Sequence, residues 1–151
     1  MKDAWDIFID GACRGNPGPG AIGVVITRDD KTIAEISRTI GEVTNNIAEY
    51  LALIYALQEA LVLKAKEVRI FTDSELVYRQ LTGVYRIKNE HLKVYFDQVL
   101  HLKRGFERLE IRHVSREQNK AADKLANNAL ENFRKKQAKM VAPAFSDIVS
   151  E

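Results

Sequence analysis

Runs of apolar residues separated by polar breaks divide the first forty residues into three predicted strands. The runs cover Trp5–Asp10, Ala21–Arg28 and Thr32–Ile40. The polar sequence Asp29-Asp30-Lys31 separates the second run from the third and is typical of a tight hairpin turn. Four glycines and two prolines between Gly11 and Gly20 predict a turn region after the first strand. Together these features predict an antiparallel three-stranded meander.

Helical and strand patterns alternate in the remainder of the chain. Thr44 and Asn45 form a plausible helix cap, and apolar residues surround most of the helix predicted to follow as far as Leu63, which is typical of a buried helix. The next predicted elements are the strand Glu67–Thr72, the helices Ser74–Leu81 and Asn89–Lys103, the strand Arg108–Val114 and the helix Ala121–Phe133. Three antiparallel strands followed by strand–helix units predict an α/β fold with a mixed five-stranded sheet.

Four acidic residues stand at the boundaries of these predicted elements. Asp10 and Asp73 come at the ends of strands, while Glu49 and Asp123 lie on two helices, near where each helix begins. An acid among apolar residues is costly to ionise unless a cation or hydrogen bonds compensate. Taken singly, each acid is more often a helix cap or a surface charge. Four acids that one sheet edge could share instead predict a site for divalent metal, since hard cations prefer oxygen ligands.

The composition is that of a folded protein of one domain. The chain has 151 residues, 46% of them hydrophobic and 29% charged, and a net charge of +2. Its single cysteine, Cys13, excludes an internal disulfide and a cysteine-based zinc cluster. There is no signal-peptide pattern and no apolar run of membrane-spanning length, so we expect a monomeric, cytoplasmic protein with no membrane association.

A change of character near residue 134 predicts a domain boundary. We expect a catalytic domain over residues 1–133 and a basic C-terminal tail over residues 134–151. Four bases, Arg134, Lys135, Lys136 and Lys139, lie in the tail. They are typical of a solvated helix end, and contact with nucleic-acid phosphates is the alternative.

The residues around the four acids form sequence motifs that resemble those of a known family. The segment Asp10-Gly11-Ala12-Cys13-Arg14-Gly15-Asn16-Pro17-Gly18-Pro19-Gly20 closely resembles the first motif of ribonuclease H type 1. Thr44-Asn45-Asn46-Ile47-Ala48-Glu49 resembles the second motif, and Thr72-Asp73-Ser74 the third. His113, ten residues before Asp123, is similar to the fourth. The resemblance covers residues 5–132, with the motifs in the family's order.

This resemblance implies a ribonuclease H-like fold with helices on both faces of the sheet. It implies endonucleolytic cleavage of the RNA strand of RNA–DNA hybrids, with 5′-phosphate and 3′-hydroxyl products. Asp10, Glu49, Asp73 and Asp123 would hold two Mg²⁺ or Mn²⁺ ions, a pair that can activate water and stabilise the leaving oxygen. His113 would assist proton transfer or product departure from a mobile loop.

Recognition of a hybrid requires detection of the ribose 2′-hydroxyl. The resemblance implies that the substrate is contacted by residues of the first three motifs. These are Cys13, Arg14, Gly15, Asn16, Thr44, Asn45, Asn46 and Glu75. Turn and cap chemistry alone also explains several of them. Glu75 departs from the glutamine of many family members and adds a negative charge beside the site. The chain also lacks the long basic insertion that some relatives carry before the helix at Asn89.

Other functions stay open at this level. One is a non-catalytic nucleic-acid-binding domain of the same fold, although all four acidic positions are filled. Another is an additional activity on duplex RNA or on RNA–DNA junctions. A P-loop is disfavoured because the glycine-rich segment lacks the Gly-Lys-Ser/Thr ending and precedes a strand.

Overall fold

A mixed five-stranded sheet forms the centre of the protein. The computed structural model describes the backbone of residues 3–150 and the side chains of residues 3–140. The strands are β1 (Trp5–Cys13), β2 (Gly18–Arg28), β3 (Lys31–Val43), β4 (Glu67–Thr72) and β5 (Arg108–His113). Their order across the sheet is β3-β2-β1-β4-β5. The first three are antiparallel, and β4 pairs in parallel with both β1 and β5, as the sequence predicts.

Four α-helices accompany the sheet. They are α1 (Asn45–Val62), α2 (Glu75–Leu81), α3 (Glu90–Lys103) and α4 (Lys120–Ser150), and a short 3₁₀ turn, Arg116–Asn119, precedes α4. The side chains of Thr44, Ser74 and Asn89 accept hydrogen bonds from backbone N–H groups at the starts of α1, α2 and α3. These caps satisfy N–H groups that have no partner within the helix. Within the described residues, none of the helices has the length and apolar character that crossing a membrane requires.

The first two strands form a longer hairpin than the glycine content predicts. The prediction of a turn from Gly11 to Gly20 is wrong in extent, because β1 continues to Cys13 and β2 begins at Gly18. Pairing between the two strands continues to Cys13↔Gly20 and supplies the ladder hydrogen bonds that make this glycine-rich segment extended. The predicted turn at Asp29 and Asp30 is present, with φ angles of 52° and 61°. Positive φ at both positions is the geometry of a tight hairpin turn.

The last helix extends well beyond its predicted end at Phe133. It continues to Ser150, and the residues directly after Phe133, which are Arg, Lys, Gln and Ala, favour helix. Residues 134–150 therefore prolong α4. The boundary between a catalytic domain at 1–133 and a tail at 134–151 stays a prediction. Residues 1, 2 and 151 lie outside the described part, as do the side chains of residues 141–150.

Two glycines allow helices to approach opposite faces of the sheet. A Cβ atom on Gly11 would lie 2.3 Å from the backbone carbon of Ala48 in α1. A Cβ atom on Gly23 would lie 1.9 Å from the carbonyl oxygen of Ala122 in α4. Gly23 pairs with Asp10, the neighbour of Gly11, so the two contacts lie on opposite sides of the sheet. The residues that follow Ala48 and Ala122 are Glu49 and Asp123, and both acids are thereby held close to β1.

Candidate active site

Asp10 lies where β1 parts from β4. The parallel pairing of these strands ends at Ile9↔Thr72, one residue before Asp10 and Asp73. Asp10 is only 5% exposed. Burial, followed by the negative charges of Glu49 and Asp73, raises the pKa of Asp10 from its ordinary value to about 10. Without a cation, this group therefore favours its protonated form at neutral pH.

Glu49 reaches the same point from α1, four residues after the helix begins at Asn45. Burial and the charge of Asp73 raise the pKa of Glu49 to about 8, although a hydrogen bond with the Gly11 backbone acts in the opposite direction. One of its oxygens, Oε2, is buried and has no hydrogen-bond partner among the described residues. A buried carboxylate oxygen without a partner is unfavourable unless something outside the chain contacts it.

The carboxylates converge at the floor of an open cavity. Oxygens of Asp10, Glu49 and Asp73 all lie within 4.8 Å of one another. Asp123 is not part of this tight group, but it lines the same cavity and its charge contributes to the raised pKa of Asp10. The Nδ2 of Asn127, one turn further along α4, donates to the Asp123 carboxylate at 3.1 Å. The cavity has a volume of about 360 Å³.

This arrangement fits hard divalent cations. All the candidate ligands are carboxylate oxygens, and two of them have raised pKa values because of burial and mutual repulsion. The unpartnered Oε2 of Glu49 offers an acceptor that no described protein group uses. Mg²⁺ and Mn²⁺ prefer oxygen ligands, and a cation would remove the repulsion that raises these pKa values.

Asn119 ties the start of α4 to β1. Its side chain is 1% exposed, and its Nδ2 donates to the carbonyl oxygen of Ile9 at 2.8 Å. This bond joins residues 110 positions apart and fixes the backbone immediately before Asp10. It also holds the helix that carries Asp123. The anchoring contact of Asn119 depends on the tertiary structure, because its partner lies in a distant strand.

His113 lies at the end of β5, beside Asp73. Its Nε2 is 3.3 Å from the carbonyl oxygen of Asp73. The ring stacks against Tyr78 of α2, with centroids 5.7 Å apart and an angle of 28° between the planes. His113 is exposed, whereas Tyr78 is half-buried. Tyr78 restricts the orientation of the histidine, and no motif in the sequence points to this contact.

The predicted substrate-binding residues fall into separate groups. Cys13 donates to Asn45 Oδ1 at 3.1 Å, and Asn16 Oδ1 accepts from the Asn45 backbone at 3.0 Å. These bonds join the loop after β1 to the start of α1. Asn16 also lines a second cavity with Thr44 and Asn46. Gly15, with φ at +88°, turns the chain within this loop.

Two charged residues among the predicted substrate-binding residues, Arg14 and Glu75, form ion pairs with other side chains of the protein. Arg14 is directed to α4, where its Nη2 lies 3.3 Å from Glu131 Oε2. Glu75 lies on α2 and accepts from Arg79 at 2.9 Å, and Arg79 in turn stacks over Tyr85 at 5.6 Å. The charge of Glu75 is therefore partly balanced within its own helix.

Some residues around the two cavities are not singled out by the sequence. Arg116 and Asn127 line the acidic cavity, and Asn89 and His91, at the start of α3, line the second. A base or amide on a helix surface carries no distinctive sequence signal, because such residues are common wherever a helix faces water.

The sequence is similar to a known protein family and to two ribonucleases H. A sequence family described as reverse transcriptase-like matches residues 8–129. Ribonuclease HI of Halobacterium salinarum is 43% identical over 126 residues, which cover 83% of this chain and 63% of that protein. Ribonuclease H of Agrobacterium fabrum is 35% identical over 146 residues, covering 87% of this chain and 97% of that protein.

A solved structure of a related protein includes nucleic acid. The crystal structure of LC11-RNase H1 in complex with an RNA/DNA hybrid is 43% identical and has a TM-score of 0.81. The match covers 85% of this chain and 97% of that one.

Proposed function

Because this chain belongs to the ribonuclease H family, we propose that it hydrolyses the RNA strand of RNA–DNA hybrids and leaves 5′-phosphate and 3′-hydroxyl ends. The observation that carries the proposal is the convergence of Asp10, Glu49 and Asp73 within 4.8 Å on the floor of an open cavity. Asn16 in the loop after β1 and Asn45 and Asn46 at the start of α1 adjoin the site and are suited to contact with ribose. The complex of LC11-RNase H1 with a hybrid supports the choice of substrate.

We propose that the four carboxylates hold two Mg²⁺ or Mn²⁺ ions. Asp10, Glu49 and Asp73 are the central ligands, and Asp123 completes the set from α4. When bound, the ions supply Lewis-acid activation of water and stabilisation of charge on the leaving oxygen. The protein's own contribution is to hold the carboxylates rigidly. The close approach of α1 at Gly11 and of α4 at Gly23 and the Asn119 anchor to β1 provide this rigidity.

His113 is proposed to handle a proton at the rim of the cavity or to assist departure of the product. Its ring stands beside the Asp73 backbone, close to the carboxylates yet open to solvent. An imidazole that is open to solvent can exchange a proton with water between turnovers.

Asn16 in the loop after β1 and Asn45 and Asn46 at the start of α1 are proposed to recognise ribose. An amide offers both a donor and an acceptor, which matches a hydroxyl that also does both. The hydrogen bond between Asn16 and the Asn45 backbone holds both residues in place. Asn46 lines the second cavity together with Asn16. Cys13 and Gly15 allow the RNA backbone to approach the loop, and Thr44 is proposed to contact a phosphate of the DNA strand.

The wider expectations stay predictions. They are an additional activity on duplex RNA or RNA–DNA junctions, a monomeric state and a cytoplasmic location. The substrate question is tested by offering labelled hybrid, duplex RNA, duplex DNA, single-stranded RNA and a DNA duplex with a short ribonucleotide patch. Cleavage of the hybrid in Mg²⁺ or Mn²⁺ supports the proposal. Binding of the hybrid without cleavage in either metal would indicate the non-catalytic alternative.

Removal of the His113 imidazole is expected to slow turnover without abolishing it. General acid–base catalysis by a side chain contributes about 10²-fold or more, so kcat of His113→Ala should fall by about that factor while the carboxylate site still functions. Steady-state cleavage of a labelled hybrid measures the effect. Complete loss of activity would contradict the assigned role.

Tyr78 provides a matched test of how His113 is oriented. A stacked aromatic pair contributes about 0.5–1.5 kcal/mol, so Tyr78→Ala should reduce kcat about three- to tenfold, whereas Tyr78→Phe should retain it. The proton resonances of the His113 ring should also shift when the aromatic ring is removed. Equal kcat values for the alanine and phenylalanine variants would exclude a positioning role.

Substitution of Glu75 by glutamine is expected to tighten hybrid binding. The change removes a negative charge beside the site and releases Arg79 from its ion pair. Exposed ion pairs contribute little to stability, so the melting temperature should change little. The dissociation constant, measured by fluorescence anisotropy without metal, should fall a few-fold. An unchanged constant would show that this charge does not affect the substrate.

A further inference from the structure

Two arginines contact a single acid on α4, Glu131, and Lys135 follows it one turn later on the same helix. Arg14 reaches Glu131 from the loop after β1 at 3.3 Å, and Arg134 contacts the same carboxylate at 2.6 Å. Hydrogen bonding to Arg134, then the charges of Arg134, Arg14 and Lys135, lowers the pKa of Glu131. Three cations share one anion, so the cluster of Arg14, Glu131, Arg134 and Lys135 has an excess of positive charge. We call it the α4 basic cluster.

The α4 basic cluster lies on the helix face that leads away from the carboxylates. Residues spaced by three or four lie on one face of a helix, and Asp123, Asn127 and Glu131 follow that spacing. Arg134 and Lys135 come three and four residues after Glu131. Lys135 is twelve residues beyond Asp123, which corresponds to about 18 Å along the helix axis.

Stability does not account for this cluster. The side chains of Arg14, Glu131 and Arg134 are 53%, 36% and 62% exposed. Exposed ion pairs of this kind contribute little to folding. The sequence from residue 132 to residue 140 contains four bases and no acid, so no neighbouring charge on the helix compensates for them.

We propose that the α4 basic cluster binds backbone phosphates of the hybrid duplex beyond the catalytic cavity. This inference rests on the proposed function. Phosphates along one strand of a duplex are spaced at about 3.4 Å along its axis, so a distance of about 18 Å corresponds to roughly five base-pair steps. Glu131 holds Arg14 and Arg134 in place in the free protein, and phosphates replace it as their partner in the complex. The long basic insertion of some relatives is absent here, and the α4 basic cluster provides phosphate contacts from a different helix.

The salt dependence of binding tests the inference directly. Each phosphate contact contributes about 0.9 to the slope of log K against log salt concentration. The double variant Arg134→Ala/Lys135→Ala should therefore lower that slope by about 1 to 2 and weaken binding at least about fivefold at low salt. Binding is measured on the whole chain with a fluorescent hybrid in chelator. A slope equal to that of the wild type would overturn the proposal.

The same helix offers a matched control. Lys136 lies on the other side of α4, where it lines a cavity with Ser37 and Thr39 of β3. Lys136→Ala removes one positive charge at nearly the same height along the helix, and it should leave the slope unchanged. An equal loss per charge in both variants would show only a general effect of net charge and would contradict a specific surface.

Two further variants separate charge from fold. Arg134→Lys/Lys135→Arg keeps both charges and should retain the wild-type slope, whereas loss of the slope would contradict phosphate binding by charge. Glu131→Gln removes the internal competitor for both arginines and should tighten hybrid binding about threefold or more. Weaker binding by Glu131→Gln would show that its charge is needed to build the surface and would overturn its proposed displacement.

Failure of the inference can be distinguished from failure of the proposed function. Wild-type protein is assayed in parallel for cleavage of the same hybrid in Mg²⁺ and Mn²⁺. If cleavage is absent in both metals, the proposed function fails, and the salt slopes of the wild type and the double variant alone then decide whether the α4 basic cluster binds phosphates. If the wild type cleaves while the double variant keeps the full salt slope, the function stands and the α4 basic cluster has no part in binding.

Discussion

Asp10→Asn is expected to abolish hybrid cleavage and, without metal, to leave the protein at least as stable as the wild type. The loss of activity follows from the removal of a central ligand, and we expect at least a 10³-fold fall in kcat, about 4 kcal/mol of transition-state stabilisation. The stability result follows from burial. Asp10 is almost fully buried beside Glu49 and Asp73, and asparagine has nearly the same shape without the repelling charge.

The pH dependence has a definite sign. In the unfolded chain Asp10 ionises near pH 4, whereas the folded metal-free protein holds its proton towards a pKa of about 10. The contribution of the Asp10 proton to the free energy of unfolding is therefore fully present below pH 4. It is lost progressively as the pH rises to about 10. The variant lacks this loss. The free energy of unfolding of Asp10→Asn should therefore exceed that of the wild type by an amount that grows between pH 5 and pH 9 and reaches the order of 1 kcal/mol or more.

Denaturant unfolding in chelator at several pH values measures this difference. Asp6 provides the control, since it lies on the same strand and face but pairs with Arg69 at 2.6 Å near the surface. Asp6→Asn should retain cleavage and gain no stability with pH. A marked fall in the stability of Asp10→Asn without metal would contradict the account of repulsion.

Divalent metal is expected to bind more tightly as the pH rises, and its removal to stop cleavage. In the metal-free protein, protons on Asp10 and Glu49 compete with a cation, because their pKa values are about 10 and about 8. Binding must therefore release protons near neutral pH. The affinity should rise up to about tenfold per pH unit for each proton released between pH 6 and pH 8.

Calorimetric titration with Mg²⁺ in buffers of different ionisation enthalpy counts the released protons. Mg²⁺ should also raise the melting temperature of the wild type, since a ligand that binds only the folded state stabilises it. Asp10→Asn should bind more weakly and release fewer protons. An affinity that does not change with pH would contradict the proton competition, and cleavage that survives chelation would contradict the role of metal.

Local patterns in the sequence predict most of the secondary structure. The strand Glu67–Thr72 has its predicted bounds, and the helix after Thr44 ends within a residue of its predicted position. Such patterns are reliable where apolar periodicity and a capping side chain agree, because both act over a few residues. The prediction of an α/β fold with a mixed five-stranded sheet is confirmed for the same reason.

The errors lie where distant residues supply the hydrogen bonds or where composition misleads. Gly11–Cys13 has turn-like composition, yet it is strand because β2 pairs with it along its length. The change of charge pattern predicts that α4 ends at Phe133, but the residues that follow are good helix formers. In β1, tertiary pairing overrides the local preference of glycine. In α4, the change of charge says nothing about helix propensity, which the residues after Phe133 retain.

By itself, the sequence determined the identity of the candidate ligands. Asp10, Glu49, Asp73 and Asp123 are recognisable from their neighbours and from the strand or helix each belongs to, because these features are local. Only the tertiary structure decided how close they lie. It brings three carboxylates within 4.8 Å of one another. It also stacks Tyr78 against His113 and pairs Arg14 with Glu131, 117 positions away. The positions of Glu49 and Asp123 depend on α1 and α4 packing against Gly11 and Gly23, and packing between distant segments leaves no local pattern in the chain.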